Sequence, residues 1–244
     1  MKFEAMDKAF ISLTFDDGLL CQFERAVPIL DRHGFPGTFF LVANTESIFE
    51  DPWADAKGYE WHKIAWSNHD IQMLKSMAAR GHEIASHTVK HERQPSDPVY
   101  EASESKRLIE GWMGTEVPSF CYPFYDTVES LKEPVIAAGY RQARAGRQNS
   151  FYACGDSVDR FAVDCRQIAP TGEDVGAWIR PASWHVLTFH GIGTEEDGWE
   201  AVTELKFSTL MRELARLRDA GQVEVVTFNN GAARLEMQPD SRKI

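Results

Sequence analysis

The 244-residue sequence predicts an α/β fold, and within that class an α/β barrel over an open sheet. Three observations carry the prediction. Short apolar runs alternate with amphipathic stripes along the chain, as parallel strands joined by crossover helices require. Glycines close the stripes at Gly34, Gly81, Gly114 and Gly139, in the manner of helix C-caps. Acids and histidines cluster directly after apolar runs, where barrel active sites are built from the loops that follow strands.

The first strand is Phe10 to Phe15, an apolar run rich in β-branched and aromatic residues that suits burial on both faces. Asp16-Asp17-Gly18 ends it. Phe23, Val27, Ile29, Leu30 and His33 then form a helical stripe, and Gly37 to Val42 is the second strand, completing a βαβ unit. Asp70 to Arg80 is a helix, and Glu83-Ile84-Ala85 a short strand leading into His87. Asp97 to Gly114 is a helix with Asp97 as N-cap and Pro98 at its first position. Ser119 to Tyr122 is a strand, Val128 to Ala138 a helix, and Tyr140 to Ala145 a further strand. Gly146 to Asp159 reads as polar and irregular, Phe161 to Val163 as a short strand, and Val175 to Arg180 as a short helix. Trp184 to Phe189 is a strand, Phe207 to Ala220 a strongly amphipathic helix, and Val223 to Thr227 the last strand. The tail from Asn229 is expected to be loosely held. With no repeat, low-complexity tract or linker, the expectation is one domain over 1–244, its core at about 9–228.

Hydrophobic residues make up 43% of the chain, ample for a core, and no window resembles a membrane span. A net charge of −11 argues against nucleic acid or an anionic membrane as partner. The N-terminus lacks the apolar core of a signal peptide. A cytoplasmic protein, or a secreted one already trimmed, is therefore expected. Cys21, Cys121, Cys154 and Cys165 show no Cys-x-x-Cys spacing. Buried free thiols are the expectation, with a Cys154–Cys165 bridge as the lesser alternative.

Asp16 and Asp17 are adjacent at a strand end, so they cannot both point inward while the strand stays regular. Gly18 lets the chain turn there. Alone, this would read best as an ordinary turn. Two further clusters, His87-Thr88-Val89-Lys90-His91 and Leu187-Thr188-Phe189-His190, outweigh that reading. If the segment of His87 and His91 is helical, both rings leave one face and reach one ion. For the pair alone, a backbone cap plus a solvent residue is an equal reading. Adding an aspartate gives two imidazoles and a carboxylate, which suits Zn²⁺ with an open position or iron in a facial triad.

Thr14-Phe15-Asp16-Asp17-Gly18, His87-Thr88-x-x-His91, Tyr122-Pro123-Phe124 and Leu187-Thr188-Phe189-His190 resemble the ordered motifs of the polysaccharide deacetylases, carbohydrate esterase family 4. The first two motifs together are specific; the others are less so. The resemblance implies an irregular, often incomplete (β/α) barrel of seven strands. It implies Asp17, His87 and His91 as ligands of zinc (cobalt or manganese serving as well) and Asp16 as the general base. It implies a Tyr122 backbone N–H at the oxyanion, with Pro123 shaping the turn. His190 is then the acid that protonates the departing amine. Its plainer reading is a core histidine, but Gly191-Ile192-Gly193 suggests a turn that exposes the ring. His62, His69, His82 and His185 read as structural or surface residues.

One departure stands out. Many members carry an arginine ahead of the motif proline, where this chain has Phe120-Cys121-Tyr122-Pro123. Arg144, Arg160 or Arg166, with Asp164 near the last, are the candidates to replace it. Aromatic residues are dense around the loops, at Trp53, Tyr59, Trp61, Trp66, Tyr125, Trp184 and Trp199. Trp61 and Trp199 are the two assigned to sugar stacking. The segments Asp51 to Asn68 and Gly191 to Glu204 are the longest insertions and should shape substrate choice.

The leading reading is a metal-dependent N-deacetylase acting on acetylated amino sugars of a glycan. An O-acetyl esterase on xylan-like chains would use the same site, and a non-glycan amidohydrolase is a third reading. A catalytically silent carbohydrate-binding module is the non-enzymatic alternative. It would be expected to have lost Asp16 or His190, and both are present.

Overall fold

In a computed structural model that describes residues 8–126, 129–146, 151–153, 156, 158–170 and 175–236, strand β1 (Ala9–Phe15) lies at the centre. The other main strands are β2 (Thr38–Leu41), β3 (Glu83–Ser86), β4 (Ser119–Cys121), β5 (Gln142–Arg144), β6 (Arg166–Gln167) and β7 (Ser183–Phe189). They run in the order β5-β4-β3-β2-β1-β7, with β6 also paired to β7, and all these pairings are parallel. A further strand, β8 (Val223–Val225), pairs with the start of β1. The sheet curls. Val163 bridges to Arg144 of β5 while β6 pairs with β7, so residues 163–167 span the gap between the two edges.

Side-chain alternation divides the sheet into two faces. Ile11, Leu13, Phe15, Phe39, Leu41, Phe120, Tyr122, Leu187 and Phe189 join one apolar cluster beneath the helices. Phe40, Ala85, Cys121, Cys165, Trp184 and Val186 form a second cluster on the concave face. Ser12 and Thr14 share that concave face: Ser12 Oγ accepts from Trp184 Nε1 at 2.9 Å, and Thr14 meets Thr188 at 3.0 Å. Extending the inner rows by two residues leads from Thr14 to Asp16, from Ala85 to His87 and from Thr188 to His190. The strand period therefore delivers the site.

Seven α-helices lie among the described residues: α1 (Val27–His33), α2 (Pro52–Lys57), α3 (Asn68–Ala79), α4 (Pro98–Met113), α5 (Glu129–Ala137), α6 (Glu204–Asp219) and α7 (Phe228–Glu236). Gly34 and Gly114 cap α1 and α4 in left-handed geometry, as the sequence predicts. A π-helical run, Gln22–Ala26, leads into α1. Val128 lies outside the described residues; α5 begins at Glu129. The helix expected over Val175 to Arg180 is a single 3-10 turn, Val175–Ala177. The strand expected at Phe161 to Val163 is reduced to the Val163 bridge, with the paired strand lying three residues later.

The tail is a correction. Its described part, residues 229–236, is not loosely held: α7 carries Phe228, fully buried against Phe40 and Trp184 at 5.6 and 5.4 Å between ring centroids, while residues 237–244 lie outside the described residues. Gly231 allows the approach, since a Cβ there would lie 2.3 Å from the Trp184 indole. Asn229 and Asn230 are helix residues, and the Asn229 N–H donates to Glu83 at 2.9 Å. Cys21, Cys121 and Cys165 are buried thiols, and Cys154 lies outside the described residues.

Candidate active site

At the C-terminal end of β1, Asp16 continues the ladder through its N–H to Phe189 O at 3.1 Å. Asp17 and Gly18 then both adopt left-handed backbone, with φ of 75° and 74°. That reversal leaves both carboxylates buried, at 2% and 3% exposure. The Gln22 side-chain amide donates to the carbonyls of Asp16 (2.5 Å) and His190 (3.0 Å), tying the ends of β1 and β7 together. Gln22 gave no signal in the sequence beyond its place near the acids.

His87 and His91 do not sit on a helix, contrary to the conditional reading of their spacing. The segment is an irregular loop in which Thr88 and His91 have φ of 69° and 58°. Glu101 of α4 holds it, accepting the N–H groups of Val89 and Lys90 at 2.8 and 2.9 Å. His87 Nδ1 lies 2.9 Å from Cys121 O, an acceptor only, so Nδ1 carries the proton and Nε2 presents a lone pair. Both His87 Nε2 and His91 Nε2 lie 3.5 Å from Asp17 Oδ1.

The two acids differ in surroundings. Burial pushes the Asp16 carboxyl up, but Arg144 and the neighbouring histidines outweigh it and hold the group below the ordinary range. Arg144 is the arginine that reaches Asp16 Oδ2, and it also donates to Cys165 Sγ (2.9 Å) and Cys121 Sγ (2.6 Å). Of the three candidates, Arg166 lies over the Trp178 ring instead, at 4.5 Å, and the N–H of Asp164 bonds to the Tyr152 hydroxyl at 2.5 Å. Arg160 gives its backbone carbonyl to Ala143 N–H at 2.8 Å. Asp17 has no arginine partner among the described residues, and burial moves its carboxyl upward. Burial also lowers His87 to about 4 and His91 to about 3, so both rings are neutral near pH 7.

Asp17 Oδ1 is buried without a hydrogen-bond partner among the described residues. A buried lone carboxylate oxygen facing two imidazole lone pairs is a donor set that fits a divalent ion. A second group, Asp16 with His87 and Cys121, has similar spacing. Its Asp16 and Cys121 already take the Arg144 guanidinium, whose charge opposes a cation there.

His190 lies across the cleft, with Nε2 3.6 Å from Asp16 Oδ2. The Tyr125 hydroxyl stands 3.5 and 3.4 Å from its two ring nitrogens, and Trp199 meets the ring edge-on at 5.0 Å. The surrounding cleft has a volume of about 1290 Å³. Phe49, Trp53, Phe124 and Tyr125 contribute apolar walls, and Glu50, Glu92, Arg93 and Asp126 charged ones.

Two expectations need correction here. Tyr122 is not at the site: its ring belongs to the outer cluster, it is 1% exposed, and its N–H donates to Arg144 O at 3.0 Å. The next turn, starting at Pro123, presents Phe124 to the cleft, and the Phe124 N–H has no hydrogen-bond partner among the described residues. Trp61 is also 1% exposed, with Nε1 on Glu195 O at 2.8 Å, so it buttresses the wall and Trp53 is the more open ring. That bond joins the two insertions expected to flank the site.

A family model, polysaccharide deacetylase, matches residues 4–143, more than half of the chain. The chain belongs to the polysaccharide deacetylase family. Among curated relatives it is 25% identical over 175 residues to a Bacillus subtilis (strain 168) protein named "Putative polysaccharide deacetylase YxkH". The match covers 69% of this chain and 56% of that protein, so the chain spans about half of the relative's length. The Xyl-CE4 domain of a multidomain xylanase from the hindgut metagenome of Trinervitermes trinervoides superposes with a TM-score of 0.61 at 16% identity, covering 96% of this chain and 94% of that one. A family 4 acetyl xylan esterase from Clostridium thermocellum, solved with cobalt, gives 0.57 at 16% identity over 95% and 93%. These likenesses establish the deacetylase fold, a curled α/β half-barrel. No helix among the described residues is long and apolar enough to cross a membrane.

Proposed function

We propose that this polysaccharide deacetylase is a metal-dependent hydrolase that removes acetyl groups from N-acetylated amino sugars of a glycan or oligosaccharide. The observation that carries the proposal is the division of labour between the adjacent acids. Asp17 turns an unpartnered oxygen towards His87 and His91, while Asp16 is held charged by Arg144 beside His190.

Asp17, His87 and His91 would hold the ion, zinc being the first choice for such a set, with cobalt or manganese able to serve. When bound, a divalent ion supplies Lewis-acid polarisation and acidifies water. Asp16 accepts the proton of the attacking water, and the water oxygen bonds to the acetyl carbon. The Phe124 N–H replaces that of Tyr122 as the donor available to the carbonyl oxygen. As the C–N bond breaks, His190 gives a proton to the departing nitrogen, leaving acetate and a free amine.

An ester of the same acyl group would follow the same steps with an alcohol leaving, so O-deacetylation of xylan is the second reading; the acetyl xylan esterase sharing this fold motivates it. The experiment is acetate release from chitooligosaccharides, acetylated xylan and peptidoglycan fragments, before and after chelation. Loss on chelation and recovery with Zn²⁺ or Co²⁺ is expected. Full activity in a sample shown by elemental analysis to be metal-free would overturn it.

A further inference from the structure

The Tyr125 side chain is gripped from several directions. Its backbone is left-handed, with φ of 60°, directly after Phe124 at 59°. Its carbonyl accepts the Gly146 N–H at 2.9 Å, and its ring lies over the Arg144 guanidinium at 5.2 Å. Two successive non-glycine residues in this region are strained, and such strain persists only where the surroundings hold it. The turn thereby carries the hydroxyl across the cleft to His190.

The hydroxyl donates its proton to Gln167 Oε1. Gln167 sits on β6, in register with Thr188 of β7, two residues before His190. Its own amide nitrogen donates to Ile168 O at 3.4 Å, which sets the amide with its oxygen towards Tyr125. With the proton directed at Gln167, the hydroxyl oxygen rests against the imidazole, almost equidistant from Nδ1 and Nε2 at 3.5 and 3.4 Å, in contact with the ring and off the line of either N–H. Asp16 lies 3.6 Å from Nε2 and Trp199 closes the ring edge at 5.0 Å.

We infer that Tyr125 and Gln167 form a positioning pair that holds His190 in place to protonate the leaving group. The inference rests on the hydrolase reading above, and it adds two residues which that reading does not use. Nothing covalent changes at either residue. The pair fixes the place and tilt of the imidazole, with Trp199 on its other edge, while His190 loses a proton to the departing nitrogen.

The test compares leaving groups in the metal-loaded enzyme. A sugar amine must be protonated to leave, whereas 4-nitrophenolate leaves unaided. Tyr125→Phe should lower kcat on N-acetylchitotetraose by about tenfold to hundredfold at similar KM, less than the about 10²–10⁴-fold worth of the acid itself. Hydrolysis of 4-nitrophenyl acetate should change less than about threefold on that same premise. Gln167→Leu should show the same split. Equal losses on both substrates, or no loss on either, would overturn the inference. If the wild type cleaves acetylated xylan but not the amide, the same comparison runs with xylan.

A second measurement needs no turnover. In long-range ¹H–¹⁵N spectra, Tyr125→Phe should shift the His190 ring signals and leave those of His82 and His185 in place. Unchanged His190 signals would sink the positioning pair even with the hydrolase reading intact. Shifted signals in a protein that releases no acetate would uphold the pair and remove that reading.

Discussion

Arg144 donates to Asp16 Oδ2 in an ion pair that solvent does not reach, with side-chain exposures of 0% and 3%. The partners are 128 residues apart in sequence, and the curl of the sheet brings β5 over the end of β1. Removing one member of such a pair leaves an uncompensated buried charge. Arg144→Met should therefore cost about 3–5 kcal/mol of stability and most of the turnover. Arg144→Lys should recover part of the loss, lacking the planar fork that also reaches both cysteines. Urea unfolding midpoints decide, and a loss below about 1 kcal/mol would show the pair to be incidental.

Equal-sized amide substitutions should separate the neighbouring acids. Asp17→Asn is expected to lose metal, because a neutral amide binds a cation less strongly than a carboxylate. Asp16→Asn should keep metal and lose about 10²–10⁴-fold in rate, since an amide accepts no proton from water. Elemental analysis beside acetate-release rates reads both. Empty Asp16→Asn with full Asp17→Asn would reverse the roles.

Tyr122→Phe should be harmless. The Tyr122 hydroxyl is buried with no hydrogen-bond partner among the described residues, and burial pushes its pKa well up, beyond ordinary titration. Deleting an unsatisfied buried group relieves a cost of about 1–3 kcal/mol, so the variant should match or exceed the wild type in stability. A large rate loss with the fold intact would give the hydroxyl a chemical role after all.

Stability should fall on acidification in a particular window. Burial lowers His185 from the ordinary 6.5 to about 4, assisted by Arg166 and Arg180. Its Nε2 accepts the Arg180 N–H at 3.4 Å, which a protonated ring could not do. Between those two values the unfolded chain binds a proton that the folded chain does not. Stability is therefore present above about 6.5 and is lost as pH falls towards about 4, at up to about 1.4 kcal/mol per unit. Unfolding free energies at pH 7.5 and 5 should differ less in His185→Gln. An unchanged difference would assign the slope elsewhere.

Phe228→Ala should cost about 3–5 kcal/mol, as a buried aromatic that plugs the concave face. A thermal melt of the variant matching that of the wild type would return the tail to the status the sequence suggested.

How much was legible depended on range. Local rules placed β1, the Gly34 and Gly114 caps, and the acids and histidines that end the inner rows, because strand and helix periods act over a few residues. The His87–His91 spacing also read as local, and there it misled: four-residue spacing fits a helix, but buried Glu101 stabilises a loop instead. Arg144 could not be separated from Arg160 and Arg166, since the sheet's curvature decides which guanidinium meets Asp16. Tyr122 was misplaced by two residues. One strand residue follows another to the opposite face, and Tyr122 falls outside while the turn after Pro123 carries Phe124 and Tyr125 in. The helix at the tail was hidden by Asn229, Asn230 and Gly231, poor helix formers that docking overrides.

Five of the eight non-glycine residues with left-handed backbone among those described are Asp17, His91, Phe124 and Tyr125, which line this cleft, and Thr88, buried beside His87. Each such residue costs of the order of 1 kcal/mol or more, which the buried ladders of β1 must offset. Selection for heat resistance alone would thus find its gains by relaxing these five positions, at the expense of turnover. A thermostable variant that keeps its activity should carry its substitutions on the outer helices, and laboratory evolution under both pressures would separate the two regions of the chain.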